Sequence, residues 1–184
     1  MDVEGEVLRA SNGLVVEGNM TPGIEPRTAA AFRVEPAKPE DRAGLIQMYL
    51  EFEPKGAALG LPPRKNPETW LDALSEFPNF LVKTGGRIIG HATLCIEGDS
   101  GETAIFVHQD WRSHGLGRIL LRALLEEARR RNLRRVWGMA APDNFVMLRL
   151  ADSLGFVPGG DPGVFHLDLT KDKSKQEPRN SSAA

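Results

Sequence analysis

A mixed α/β domain, with one mostly antiparallel central sheet flanked by helices, is what this sequence predicts, on three observations. From Phe80 to His108 apolar residues recur as they do in strands, and after Trp111 the period changes from two to about 3.6. Gly85-Gly86 joins two strand-like runs in the manner of a tight antiparallel hairpin. The full order is strand, helix, helix, three strands, helix, strand, helix, strand, with one crossover helix and no internal repeat.

The elements follow one another from Ala31. Phe32 and Val34 alternate in a short strand that ends before Pro36 and Pro39. Pro39, Glu40 and Asp41 then open a helix, whose Leu45, Ile46, Tyr49 and Phe52 form a core-facing stripe. Gly56, Gly60, Pro62 and Pro63 make residues 54–67 a loop, and a second helix beginning near Pro67 carries Trp70, Leu71 and Leu74. Strands are expected at Phe80–Lys83, Arg87–Glu97 and Glu102–His108. The clearest helix follows, with Leu116, Ile119, Leu120, Ala123, Leu124 and Ala128 on one face. Val136–Ala140 reads as a buried strand, Asp143–Leu154 as a helix closed by Gly155, and Val164–Leu169 as the last strand. Met139 and Met147 are expected in the core, and Trp137 in packing. The domain thus spans residues 31–170. Residues 1–30 form an extension, with a candidate hairpin at Glu6–Glu17 around Asn12-Gly13, and 171–184 a polar, disordered tail.

The chain has 184 residues, 41% of them apolar and 26% charged, which suits one ordinary globular domain. Its net charge of -2 does not suit a surface made for polyanions, so nucleic acid is not an expected partner. No apolar run approaches the roughly 20 residues of a membrane span, and residues 1–6 are acidic where a signal peptide is basic. Cys95 stands alone, without a Cys/His set of zinc spacing. A cytoplasmic protein without a metal is expected.

The stretch from Arg112 to Gly117, R-S-H-G-L-G, precedes the strongest helix. The first amides of a helix lack partners within it, the peptide dipoles favour negative charge there, and glycine lets an anion approach the backbone. The same residues also read as a helix-start glycine and a solvated arginine. A dinucleotide fingerprint fails because Leu120 stands where a third glycine is needed, and a Walker loop fails at Gly117-Arg118-Ile119.

Thr103 to Phe156 resembles the core of the GNAT (GCN5-related N-acetyltransferase) family. The signature Q/R-x-x-G-x-G/A falls on Arg112, Gly115 and Gly117, and the downstream Asn followed by a helix ending in L-G-F falls on Asn144, Leu154, Gly155 and Phe156. The pieces GETAIFV, DWRSHGLG and DNFVMLRLADSLGF are similar to bacterial protein lysine acetyltransferases of the Pat type. The resemblance implies a GNAT-type sheet, acetyl-CoA as co-substrate and an amine as acceptor. It implies that Arg112 and His114, Gly115, Leu116 and Gly117 hold the coenzyme's pyrophosphate, that Phe106 and Val107 hold the pantetheine arm through their backbone, and that Asn144 flanks the sulfur end. Arg118 and Arg122 become candidate contacts for the 3′-phosphate.

Glu102 occupies the place of the Pat-type glutamate and is the first candidate for general base; it reads equally as a charged residue capping a strand. His108 is the second candidate, with a loop histidine as its plainer reading. Ala151 stands where many members place a tyrosine that protonates the thiolate, and Tyr49, the sole tyrosine, reads as core. Cys95 lies mid-strand without an adjacent base, which favours direct transfer over an acyl-enzyme. The loop from Glu53 to Arg64 is the candidate acceptor loop. Protein lysine, polyamine, amino acid and antibiotic amines all remain open as acceptors, and nothing sets an oligomeric state.

Overall fold

A computed structural model describes residues 32–56 and 58–170; the candidate hairpin at Glu6–Glu17, the rest of the extension and the tail lie outside them. In chain order the elements are β1 (Val34–Pro36), α1 (Arg42–Glu51), α2 (Pro67–Leu74), β2 (Asn79–Thr84), β3 (Arg87–Glu97), β4 (Ser100–Val107), α3 (Leu116–Arg130), β5 (Arg135–Met139), α4 (Phe145–Asp152), β6 (Val157–Pro158) and β7 (Val164–Asp168). The strands form one sheet in the order β1-β2-β3-β4-β5-β7-β6. Neighbours are antiparallel except β4 and β5, which α3 connects and which run parallel, as a helical crossover requires.

Each face of the sheet has its own core. On one face Leu116, Leu120, Leu121, Leu124 and Ala128 of α3 bury against Val82, Ile89, Ala92, Leu94 and Val136, and α4 adds Ala151. On the other, Leu45, Met48, Tyr49 and Phe52 of the α1 region and Leu71 of α2 meet Leu81, Ile88 and Phe106. The β2–β3 register slips at Val82/Lys83, which turns Ile89 and Gly90 both toward α3. There Gly90 is needed for its missing side chain, since a Cβ would lie 3.1 Å from Leu120 Cδ1.

The differences from the expected elements have local causes. Pro39–Asp41 is a separate 3-10 turn, and Asp41 folds its carboxylate back onto the Lys38 amide at 3.0 Å before α1 begins. Asn144 accepts a hydrogen bond from the Met147 amide at 3.1 Å, so α4 starts at Phe145 rather than Asp143. The two-residue β6 has no periodicity to read and was not expected. Met139 is 47% exposed, because on β5 it lies on the side away from α3, whereas Met147 packs against the core as expected.

Candidate active site

The ladder between β4 and β5 stops early. They pair only at Ser100↔Arg135, Gly101↔Val136 and Glu102↔Trp137, with the Thr103 hydroxyl donating to the Trp137 carbonyl at 3.1 Å where the pairing ends. β3 accompanies β4 along its whole length, from Glu97↔Ser100 to Gly90↔Val107. The Leu94 amide donates to the Pro78 carbonyl on the β2 side at 3.0 Å. Main-chain groups alternate sides along a strand, so His91, Thr93 and Cys95 bond to their register partners Phe106, Ala104 and Glu102. Thr103, Ile105 and Val107 consequently turn their N–H and C=O groups toward β5, which engages the Thr103 N–H through the last register pair and then diverges, leaving Ile105 and Val107 facing the gap. A strand edge thus opens inside the sheet, ready to take an extended chain that carries amides.

That phase sorts the two residues expected to hold the pantetheine arm. Val107 faces the split. Phe106 does not: its main chain is engaged by His91, and its ring is 4% exposed among Tyr49, Phe52 and Trp70. Ile105 faces the split instead, a residue sequence reasoning missed because the ladder's phase depends on β2 and β3.

The open edge leads into the Arg112–Gly117 turn. Ser113 and Gly115 both have left-handed backbones, with φ of 64° and 77°, and bend the chain into α3. Gly115 is the N-cap and supplies no side-chain cap, and α3 has no acidic residue in its first turn. The Leu116 and Gly117 amides come too early in the helix to find a carbonyl within it. An uncapped helix start without nearby carboxylates has the right chemistry for a diphosphate.

Arg112 does something more specific than the motif suggests. Its guanidinium donates to the Val107 carbonyl at 3.3 Å and the Glu53 carbonyl at 2.6 Å, and lies 5.3 Å from the centre of the Phe52 ring. Gln109 bonds the same stretch, donating to the Glu51 carbonyl and accepting from the Glu53 amide, both at 2.9 Å. Arg112 and Gln109 therefore fasten the start of the 53–66 loop to the turn. Gln109 carried no sequence signal, since its partners lie more than fifty residues away.

The remaining candidates divide by exposure. Glu102 is half-buried at the closed end of the split, and burial raises its pKa. No cation among the described residues pairs with it. His108 is 2% exposed and walled in by Glu51, Gln109 and Asp110, its Nε2 3.7 Å from Glu51 Oε2, which closes it off from an incoming amine. His114 donates from Nδ1 to the Arg112 carbonyl at 2.7 Å and stands beside Trp111. Arg118 donates to the Ser153 hydroxyl at 2.9 Å, which turns it toward the end of α4, and Arg122 is exposed on the outer face of α3. Asn144 is exposed, with its carbonyl oxygen used in capping α4. Ala151 is 1% exposed, so the tyrosine's usual place is filled by core. Among the described residues no helix is long and apolar enough to cross a membrane.

Comparison with known proteins agrees with this geometry. The model of the acetyltransferase (GNAT) family matches residues 43–156. A curated acetyltransferase of Pseudomonas aeruginosa is 35% identical over 72 residues, which is 39% of this chain and 38% of that relative, so the chain spans little more than a third of its length. The GNAT domain of Streptomyces lividans PAT superposes with a TM-score of 0.66 at 20% identity, over 75% of this chain and 90% of that one. A ribosomal-protein-alanine N-acetyltransferase of Brucella melitensis gives 0.59 at 24% identity, over 74% and 99% of the two chains. The yncA protein of Salmonella typhimurium, solved with its cofactor acetyl-CoA, gives 0.57 at 23% identity, over 83% and 99%. At these identities the superpositions speak for the fold, and the family model for membership: the chain belongs to the acetyltransferase (GNAT) family.

Proposed function

We propose that this protein transfers an acetyl group from acetyl-CoA to a primary amine, with a protein lysine among the acceptors, by direct attack in a ternary complex in the cytoplasm. The observation that carries the reading is the β4–β5 split, which runs from an uncapped helix start at one end to an unpaired carboxylate at the other. Val107 and Glu102 lie five residues apart on β4, about 17 Å of strand. Leu116 and Gly117 offer amides to the diphosphate, Ile105 offers its amide and carbonyl to the arm, and Val107 its amide, its carbonyl being held by Arg112.

Acetyl-CoA supplies an activated acyl group whose thiol leaves readily, since a thiol's pKa is near 8.5. The protein must supply a neutral amine. A lysine-type ammonium with a pKa near 10.4 is neutral about once in a few thousand at pH 7, a deficit of roughly 4 to 5 kcal/mol. Glu102 accepts the proton, and burial makes it a better base than an exposed glutamate. Main-chain N–H groups of β4 that face the split stabilise the developing oxyanion without reorganising. Solvent protonates the leaving thiolate, in keeping with Ala151.

Ala151 also favours a second reading, a catalytically weak acetyl-CoA-binding module. Thiol release from acetyl-CoA across a panel of amine and lysine-peptide acceptors separates the two. Saturable coenzyme binding with no thiol release from any acceptor would overturn the enzyme reading.

A further inference from the structure

α1 and α2 pack on β2, β3 and β4, whereas the α3 side of the sheet is covered as far as β7. β5 and β7 accordingly alternate between buried residues on the α3 side, Val136, Gly138 and Phe165, and accessible ones on the other, Arg135, Trp137, Met139 and His166. Register places a continuous row across that open side: Cys95 opposite Glu102, Glu102 beside Trp137, Trp137 opposite His166, His166 opposite Val157. Residues so paired project from the same face, with Cβ atoms about 5 Å apart. Glu102, the base in the reading above, therefore stands beside an indole, on a shelf whose apolar parts include Met139 and Val157, 47% and 50% exposed.

From this placement we infer that the open face of β5 and β7 is the acceptor's approach, with Trp137 receiving the ammonium end of an alkyl chain and delivering it to Glu102 at the closed end of the split. A half-buried carboxylate without a counter-charge is costly, and a ligand cation removes the cost. Trp is the side chain whose face attracts a cation best, and a run of methylenes suits the exposed Met139. The acceptor class is an alkylammonium of the lysine side-chain type. The inference rests on the acetyl-transfer reading but adds a surface and a residue to it.

Thiol release from acetyl-CoA is measured with n-butylamine and with Nα-acetyl-lysine N-methylamide, for the parent, Trp137→Ala and Trp137→Phe. The expected result is an amine KM at least tenfold higher in Trp137→Ala and two- to fourfold higher in Trp137→Phe, with the acetyl-CoA KM within twofold throughout. Amine KM values equal to the parent's in a folded Trp137→Ala, or an acetyl-CoA KM that rises in parallel, overturns the shelf. If Trp137→Ala does not fold, the Trp137→Phe ratio decides. A second readout needs no turnover: n-butylammonium titrated into indole-labelled, CoA-saturated protein should move the Trp137 N–H resonance, identified by its loss in Trp137→Phe. Movement confined to the Trp70 resonance puts the acceptor at the 53–66 loop instead and overturns the inference. Thiol release with other amines but neither alkylamine overturns the acceptor class alone, whereas no release with any amine, beside a shifted Trp137 resonance, overturns the enzyme reading and leaves the shelf standing.

Discussion

On the α3 side of the split the atoms proposed to bind the coenzyme belong to the main chain, at Ile105, Val107, Leu116 and Gly117. On the β5–β7 side those proposed to meet the amine belong to side chains, Glu102 and Trp137 above all, brought together from different strands. A backbone site tolerates wide sequence change provided its torsion angles survive, so its weak points are the glycines. A side-chain site fails at single functional groups. The first should lose binding gradually, the second chemistry abruptly.

The sharpest test of that contrast is Glu102→Gln. Losing a general base typically costs about 10² to 10⁴ in rate, and kcat for the alkylamines should fall within that range while acetyl-CoA affinity holds. The parent's acid limb should lie above the ordinary glutamate value and vanish in the variant. Stability should move the opposite way. A carboxyl whose folded-state pKa is raised binds its proton more tightly in the fold, so its favourable contribution is complete below the unfolded pKa and fades as pH rises through the folded one. At pH 7 the charged Glu102 is a burden, and Glu102→Gln should melt at a higher temperature than the parent. An unchanged rate and pH profile removes Glu102 from the chemistry.

On the backbone side the corresponding test is Gly115→Val. A β-branched residue at φ of 77° costs about 1 to 3 kcal/mol. If the strain is relieved by moving the turn, CoA affinity falls by roughly 10- to 100-fold, measurable by calorimetry, and Glu102's pH profile is unchanged at saturating coenzyme. An affinity equal to the parent's would mean that the turn does not carry the diphosphate.

Much of the α3 side was legible in the sequence. The glycine spacing at Gly115 and Gly117, the period change after Trp111 and the apolar stripe of α3 are local patterns, and local patterns are what one chain displays. The split itself was less so, because which of Phe106 and Val107 faces it depends on the phase that β2 imposes on β3. The acceptor side was hardest. Glu102 was nominated by its place in the Pat-type pattern, but Trp137 reads as packing until β5 is known to have a helix on one face only, and Met139 misled for the same reason. His108 looked like a base because its chemistry is visible in the sequence and its burial is not.

Apart from both sides, under α1, lies a polar cluster on β2 and β3. Tyr49 donates its hydroxyl to His91 Nδ1 at 2.6 Å, His91 Nε2 donates to Asn79 Oδ1 at 2.9 Å, and Asn79 donates on to the Leu74 and Phe77 carbonyls. Burial pushes the His91 pKa down to about 3, so the ring stays neutral in the fold. A base with a depressed folded-state pKa contributes stability that is complete above its unfolded value, near 6.5, and is lost as pH falls from there toward about 3. Tyr49→Phe leaves Nδ1 buried without a donor and should cost about 1 to 3 kcal/mol in denaturant unfolding. Both sides of the split should feel this loss equally, as lower stability with unchanged KM values.

The smallest effect is expected at the seam. Arg112→Gln removes the guanidinium bonds to Val107 and Glu53 and leaves both Gln109 bonds in place. The Arg112 side chain is exposed, so each lost bond is worth about 0.5 to 1.5 kcal/mol at most. Hydrogen exchange at the Glu53, Gly56 and Ala58 amides should quicken severalfold in the free protein, because the loop keeps one of its two fasteners. CoA affinity should drop by no more than about threefold, since the Leu116 and Gly117 amides are untouched. A tenfold loss of CoA affinity with unaltered loop exchange would place the guanidinium on the diphosphate, and the α3 side would then depend on a side chain after all.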